Sequence, residues 1–431
     1  MTIENASLFS TKHAYSFSLP GITLESRKVL EELLLDNHKK YHIFFNVKQF
    51  HNHNPHILLA AAALGASPEA LRKIYDIHIT YQKPLIAPKY EITDQNFTDY
   101  LFEDEAYSSY LAFFDKKLET MSIEEVFTSY AIKEAVLDNL FAGLFHPLIH
   151  FCYGLEFSQK LVAAEGLAMA CVHGQDKGFR VQELNDMEYM HLQGKSINDI
   201  LEDIRNDPVL KRSRKYDPTT DGFGNISSPE ESKSLLKHIA QWQIYVSFPP
   251  SQAFSNLILA DAEDIDAKIK ELYIASVDIY AASQRPGKKP LLDFYLIHLL
   301  TSVYFVQILL PSLHVKDQAK LLRAYFAKFA QWYAARGSPK FDRAVIYNYQ
   351  STSPAKENPW FEVWDMGIKN MDFHVVKVVR ALSMADEMFS PEGDHYYLKA
   401  AQMTVECTVH GDPLIHNAWT RKPPGYDEAW E

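Results

Sequence analysis

Helical punctuation constrains this chain more than any other feature. Apolar runs of helical period open at capping residues and stop at glycine, and no hairpin dipeptide flanked by alternating apolar residues competes with them. Asn54-Pro55 opens the run from His56 to Leu64, which stops at Gly65. Proline near a helix start and glycine just past its end is the asymmetry that helix termini select. Ser67-Pro68-Glu69 then caps the next helix at once. The same period runs through Val29 to Leu35, Ile132 to Phe151, Ser234 to Val246, Ala262 to Ala282, Leu291 to Leu310, Val315 to Ala335 and Asp372 to Met388. Ile226 to Ser228 and Val345 to Tyr347 are short, weak strand candidates. The expected fold is therefore all-α: one large helical domain over residues 1–431, with long surface loops. The polar stretch from Gln175 to Glu231 reads as a long excursion over the core, and Trp419 to Glu431 as an extended strap.

Composition removes several classes of function. A formal net charge of -12 repels phosphate backbones, so no nucleic acid partner is expected. The basic run Lys211-Arg212-Ser213-Arg214-Lys215 sits among turn signals and reads as a solvated loop. Three cysteines, Cys152, Cys171 and Cys407, leave one unpaired and form no C-x-x-C, which fits a reducing compartment. No charged segment leads into an apolar one at the N-terminus, so a cytoplasmic protein is expected. Leu291 to Leu310 is nearly apolar, but Asp293, His298 and Gln307 interrupt it; a core helix is expected there, not a membrane span.

The chemistry lies in the histidines, 18 in all. His13, His191 and His395 stand in polar stretches and need no special account. In His51-Asn52-His53-Asn54-Pro55-His56, the imidazoles either cap a helix or lie exposed, or else His56 turns inward while His53 orients a ligand or substrate. His146 and His150, four apart, share one helix face, as two nitrogens offered to one metal would; Pro147 should kink the helix between them. Two core histidines bonded to carbonyls would give the same pattern. His298 sits mid-run and needs partners for both ring nitrogens, which a carboxylate or carbonyl could supply without a metal. His374 and Lys377, three apart, share a face in an apolar stretch. An ammonium would repel a divalent cation, so Lys377 must turn away, be neutral through desolvation, or carry a carbamate formed from carbon dioxide.

Absent motifs narrow the choice further. No G-x-G-x-x-G follows a strand, and P-loop, G-x-S-x-G, H-E-x-x-H and His-Asp patterns are missing. His410-Gly411-Asp412 has the spacing of a two-histidine, one-carboxylate iron site, but a three-residue match carries little weight. The candidate donors are His56, His146, His150, His298, His374 and Lys377. Imidazoles with at most one oxygen anion suit iron, with zinc, copper and manganese behind it. Iron with an open position in an aromatic-rich cavity suggests oxygen chemistry on a flat apolar substrate.

Several blocks together resemble the questin oxidase-like family. They are Asn37 to Asn46 with His51-Asn52-His53, His56 and Leu64-Gly65-Ala66-Ser67-Pro68; Phe145 to His150 with Tyr153-Gly154-Leu155-Glu156-Phe157; Asp293-Phe294 with His298; and His374 to Leu382. They run in order over most of the chain. The resemblance implies a fungal secondary-metabolism oxygenase that opens the central ring of an anthraquinone, a planar aromatic polyketide. Its reaction is described as Baeyer–Villiger-like, sometimes with NADPH. With no dinucleotide fingerprint, the favoured expectation is Fe(II) with O2 as co-substrate, NADPH at most reducing the quinone first, and His53 as the catalytic residue. Six donors would fill an octahedron and leave no place for O2, so at least one must stand outside the coordination sphere. The alternatives are an NADPH-dependent Baeyer–Villiger monooxygenase on the same substrate, a zinc-dependent helical hydrolase, and a helical scaffold without metal.

Overall fold

The computed structural model describes residues 16–20, 22–132, 134–174, 194–213, 216–217, 228–242, 262–353, 357–412 and 418–431. Among these the regular structure is helical, and β structure is limited to three isolated bridges, Tyr41–Pro84, Phe44–His51 and Asp293–Thr420. The principal helices are α1 (Leu24–Lys40), α2 (Asn54–Ala63), α3 (Pro68–His78), α4 (Tyr107–Thr120), α5 (Ala142–Glu156), α6 (Lys160–Val172), α7 (Ala262–Ala281), α8 (Ile297–Leu309), α9 (Val315–Ala335), α10 (Trp360–Lys369), α11 (Phe373–Phe389) and α12 (Tyr396–Thr408). Buried apolar side chains from Val29 to Trp419 form one continuous core cluster. No helix of the described residues is long and apolar enough to cross a membrane.

Local chemistry explains the boundaries. Ser67 Oγ accepts from the Ala70 amide at 3.2 Å and opens α3, as its sequence implies. Helices α2 and α8 are apolar on every side and buried along their whole length, which suits central helices. Around them a closed circuit forms: α2 packs on α5 and α11, and α8 packs on the same two. Helices α5 and α6 fold back on each other with almost no gap. A Cβ on Gly154 would lie 2.3 Å from the Ala163 nitrogen, and one on Gly166 would lie 2.3 Å from the Phe151 nitrogen. Only glycine lets two backbones approach so closely.

The structure corrects several expectations. Pro147 does not kink a helix between His146 and His150. Gly143, Leu144 and Phe145 are all left-handed, with φ of 50°, 62° and 64°, so the right-handed part of α5 starts at His146. Pro147 therefore lies in a first turn, where its missing N–H costs nothing. The nearly apolar run from Leu291 becomes helical only at Ile297, because Asp293 Oδ1 accepts from the amides of Tyr295 and Leu296, each at 2.8 Å. Ala344–Tyr347 is a helical turn and not a strand. The described residues of the polar excursion include the helices Ile197–Asn206 and Pro208–Ser213, and the first buries Ile197, Ile200, Leu201 and Ile204 against the core. Lys211 to Ser213 thus belong to a helix and not a loop. The helix expected from Ser234 starts earlier, as Pro229–Ile239, because Ser228 and Glu231 form a capping box. His13, His191, Arg214, Lys215, Ile226 and Val246 lie outside the described residues.

Candidate metal centre

Four histidines from distant parts of the chain stand at four helix starts. His53 immediately precedes α2, His146 opens the right-handed part of α5, and His298 and His374 are the second residues of α8 and α11. Their rings form a closed circuit with centroid separations of 4.7 Å (His53–His146), 4.9 Å (His146–His298), 5.1 Å (His298–His374) and 5.6 Å (His374–His53). The amino ends of four helices converge there, and their dipoles disfavour positive side chains.

Each of the four rings is anchored through Nδ1. His53 donates to the His51 carbonyl at 2.6 Å, His146 to the Gly143 carbonyl at 2.5 Å and His298 to the Phe294 carbonyl at 2.9 Å. His374 Nδ1 lies 3.1 Å from Asp372 Oδ1, and Asp372 Oδ2 accepts from the Trp419 indole at 3.0 Å. Carbonyl and carboxylate oxygens only accept, so in each ring the proton sits on Nδ1 and the lone pair on Nε2. This is the way a protein presents imidazole to a metal. The left-handed turn has a use here as well: Pro147 has no amide for the Gly143 carbonyl, and the His146 ring takes its place.

Burial, followed by repulsion from Lys377 and neighbouring histidines, pushes His53 well below the usual histidine range. The same two causes act on His56, His146 and His298, and on His51, which stacks on His146 at 4.0 Å. Neutral His53 and His146, each with its proton on Nδ1, then hold two bare Nε2 atoms 2.7 Å apart. Two lone pairs at that distance repel unless a proton or a metal ion lies between them. Two nitrogens each ~2.1 Å from one metal and at right angles would stand ~3.0 Å apart. His298 Nε2 and Lys377 Nζ, both buried, have no hydrogen-bond partner among the described residues. Lys377 does not reach solvent, and burial pushes it down to about 7 against the pull of Asp372. As placed, the donors stand in pairs, and among the described residues no three or more His, Cys, Asp or Glu side chains surround a common point.

His56 and His150 form a second and different pair. His150 Nε2 donates to Glu165 Oε2 at 2.8 Å, so its Nδ1 is bare and accepts from His56 Nε2 at 3.0 Å. That contact is satisfied without a cation. Glu165 is held in turn by His38 at 3.0 Å, and His38 Nε2 reaches Asp115 at 3.1 Å. Aromatic rings close the surroundings: Phe373 stacks on His53 at 3.9 Å, Phe294 lies 4.8 Å from His374, and Tyr153 stacks on His56 at 5.1 Å.

All seven residues singled out in the sequence are thus buried in one region. His410 and Asp412 are exposed, at the far end of α12. Sequence reasoning gave His51 and His38 no role of their own and missed His173 and Glu165. For Glu165 a signal was present, since it is the lone carboxylate in the apolar run from Leu161 to Val172.

An all-α chain with a buried ring of histidines beside a buried lysine is a distinctive class of protein. The questin oxidase-like family model matches residues 50–382, which include all seven residues, and the chain belongs to that family. It is similar to a Baeyer–Villiger monooxygenase, AacuH, of Aspergillus aculeatus, at 26% identity over 98% of this chain and 93% of the relative. It is also similar to a Baeyer–Villiger oxidase, mdpL, of Emericella nidulans, at 28% over 99% and 98%, and to a questin oxidase of Aspergillus terreus, at 26% over 92% and 91%. These relatives are oxidoreductases by name.

Proposed function

We propose that this chain is a non-haem iron oxygenase of fungal secondary metabolism that uses O2 to cleave the central-ring carbon–carbon bond of an anthraquinone, taken in its reduced hydroquinone form. The observation that carries the metal is the meeting of two bare nitrogens, His53 Nε2 and His146 Nε2, at 2.7 Å in a buried site. A cation between them turns a repulsion into two bonds. His53, His146, His298 and His374 would hold a metal ion through their Nε2 atoms. His53 is then a donor as well as a residue beside the substrate. His150 stays outside, because His56 and Glu165 already satisfy both of its ring nitrogens, and His56 Nε2 is committed to His150. That leaves a position open.

Bound Fe(II) supplies a site for O2 next to an electron-rich ring. The chain's own residues supply the rest. The Nδ1 anchors fix the ring planes, and Phe373, Phe294, Tyr153 and Trp419 offer aromatic faces to a planar substrate and keep water out. Lys377, whose buried amine is pushed down to about 7, would attack carbon dioxide through Nζ, forming an N–C bond with loss of a proton, and the resulting carbamate would offer the metal an anionic oxygen.

The relatives' names support a second reading, a Baeyer–Villiger oxygenation, for which NADPH would be the reductant. One set of assays separates the two. Protein as purified, chelated, and reloaded with Fe(II) is given a chemically reduced anthraquinone under air, with and without NADPH. Activity that follows iron and needs no NADPH is expected. Full activity of the chelated protein with NADPH would overturn the iron reading, and zinc in active protein without oxygen uptake would point to a hydrolase. His53→Ala and His146→Ala should lose iron. Labelled bicarbonate should give a carbamate carbon signal that Lys377→Ala lacks.

A further inference from the structure

The chain of contacts behind the histidine ring has a direction. His38 is bonded by two carboxylates, Asp115 at 3.1 Å and Glu165 at 3.0 Å. Burial alone would lower its basicity, but the two carboxylates outweigh burial and raise it to about 10, so His38 is an imidazolium. Burial alone would likewise favour a neutral Glu165, yet hydrogen bonds from His150 and His38 hold it down to about 2. A permanent carboxylate can only accept. It therefore places the His150 proton on Nε2, which leaves Nδ1 to accept from His56 Nε2 at 3.0 Å, and the His56 proton is fixed in its turn. What remains is His56 Nδ1, a bare acceptor. His56 is completely buried, with its ring 5.2 Å from His53 and 6.2 Å from His146, and Nδ1 has no hydrogen-bond partner among the described residues. A buried acceptor left unmatched is destabilising, and native sites meet that cost with a ligand or water.

We infer that Glu165, acting through His150, is a positioning residue that fixes His56 in the tautomer with a bare Nδ1, and that this nitrogen accepts a hydroxyl group of the substrate. The inference rests on the histidine ring being the substrate site. It specifies the substrate class more closely: a planar aromatic carrying a hydroxyl, distinguished from the same skeleton without one. Glu165→Gln inverts the arrangement. Its amide can donate to His150 Nε2, the His150 proton moves to Nδ1, and His56 Nδ1 must then carry a proton and reject a donor.

The test measures binding of a dihydroxyanthraquinone and of unsubstituted anthraquinone to the full chain by fluorescence quenching, with iron content determined on the same samples. Wild type should prefer the hydroxylated compound by roughly two- to tenfold, the range one hydrogen bond supplies. Glu165→Gln and His56→Phe should erase the preference and keep their iron, and Glu165→Asp should restore it. His56→Phe carries the test if Glu165→Gln does not fold. A preference surviving in His56→Phe would overturn the proposal, as would iron loss in Glu165→Gln equal to that in His146→Ala. Absence of iron from wild type would refute the metal reading and leave the hydroxyl preference as a separate result.

Discussion

Gly143 holds the tightest position of any single residue near the histidine ring. Its φ of 50° is left-handed, and a Cβ there would meet His173 Nε2 at 2.3 Å and His51 Cε1 at 2.9 Å. Gly143→Ala combines about 1–2 kcal/mol of backbone cost with a steric clash. It should lower the thermal midpoint by several degrees and tilt His146, so iron content should fall at temperatures where circular dichroism still shows a folded protein. Unchanged iron content would separate the turn from the site. Residue chemistry also decides what the sequence could reveal. His146, His298, His374 and Lys377 were legible because a polar group in an apolar helix needs a reason. Which histidines pair was not legible. His53 meets His146 across 93 residues and His56 meets His150 across 94, and no spacing rule reaches that far. Glu165 and His38, 127 residues apart, make sense only as partners.

Between elements, two polar ties bear weight, one buried and one half-buried. Glu156 at the end of α5 pairs with Arg380 in α11, and both are nearly inaccessible. Glu156→Gln leaves a buried guanidinium short of a counter-charge, and breaking such a pair costs about 3–5 kcal/mol. Chemical denaturation should show a loss of that order, and a loss under 1 kcal/mol would mean the pair is dispensable. Asp207 joins the helices Pro208–Ser213 and Pro229–Ile239 by accepting from Ser234 and His238. Burial raises its pKa, but those bonds and two backbone amides outweigh burial and hold it at about 2. An unfolded aspartate titrates near ~3.9, so its contribution is complete above that pH and is lost as pH falls toward 2. Melting curves of Asp207→Asn should therefore depend less on pH across that window than those of wild type. The helices themselves were legible from period and caps, and α9 begins and ends where its pattern does. The misplaced boundaries have local causes that periodicity ignores: Asp293 turning its carboxylate to the backbone, three left-handed residues before His146, and a short amphipathic helix hidden among polar neighbours.

For the molecule as a whole, the donors at positions 53, 146, 298 and 374 come together only when α2, α5, α8 and α11 have all docked. In the proposed centre, metal binding and global folding would be linked, and Fe(II) at a hundredfold excess over its Kd would add about 2.7 kcal/mol. Calorimetry should show a midpoint that rises with Fe(II) and falls with chelator, and one in His53→Ala or His146→Ala that responds to neither. A wild-type midpoint indifferent to iron would count against the centre. The contact of α5 with α6 adds a condition of its own. Any side chain at Gly154 or Gly166 would wedge the two backbones apart and carry Glu165 away from His150. In a diverging lineage the alanines and leucines around them can trade places with one another, because volume lost at one can be regained at a neighbour. These two glycines have no such trade available, so the history of this site should be recorded most faithfully at two positions that have no side chain to select.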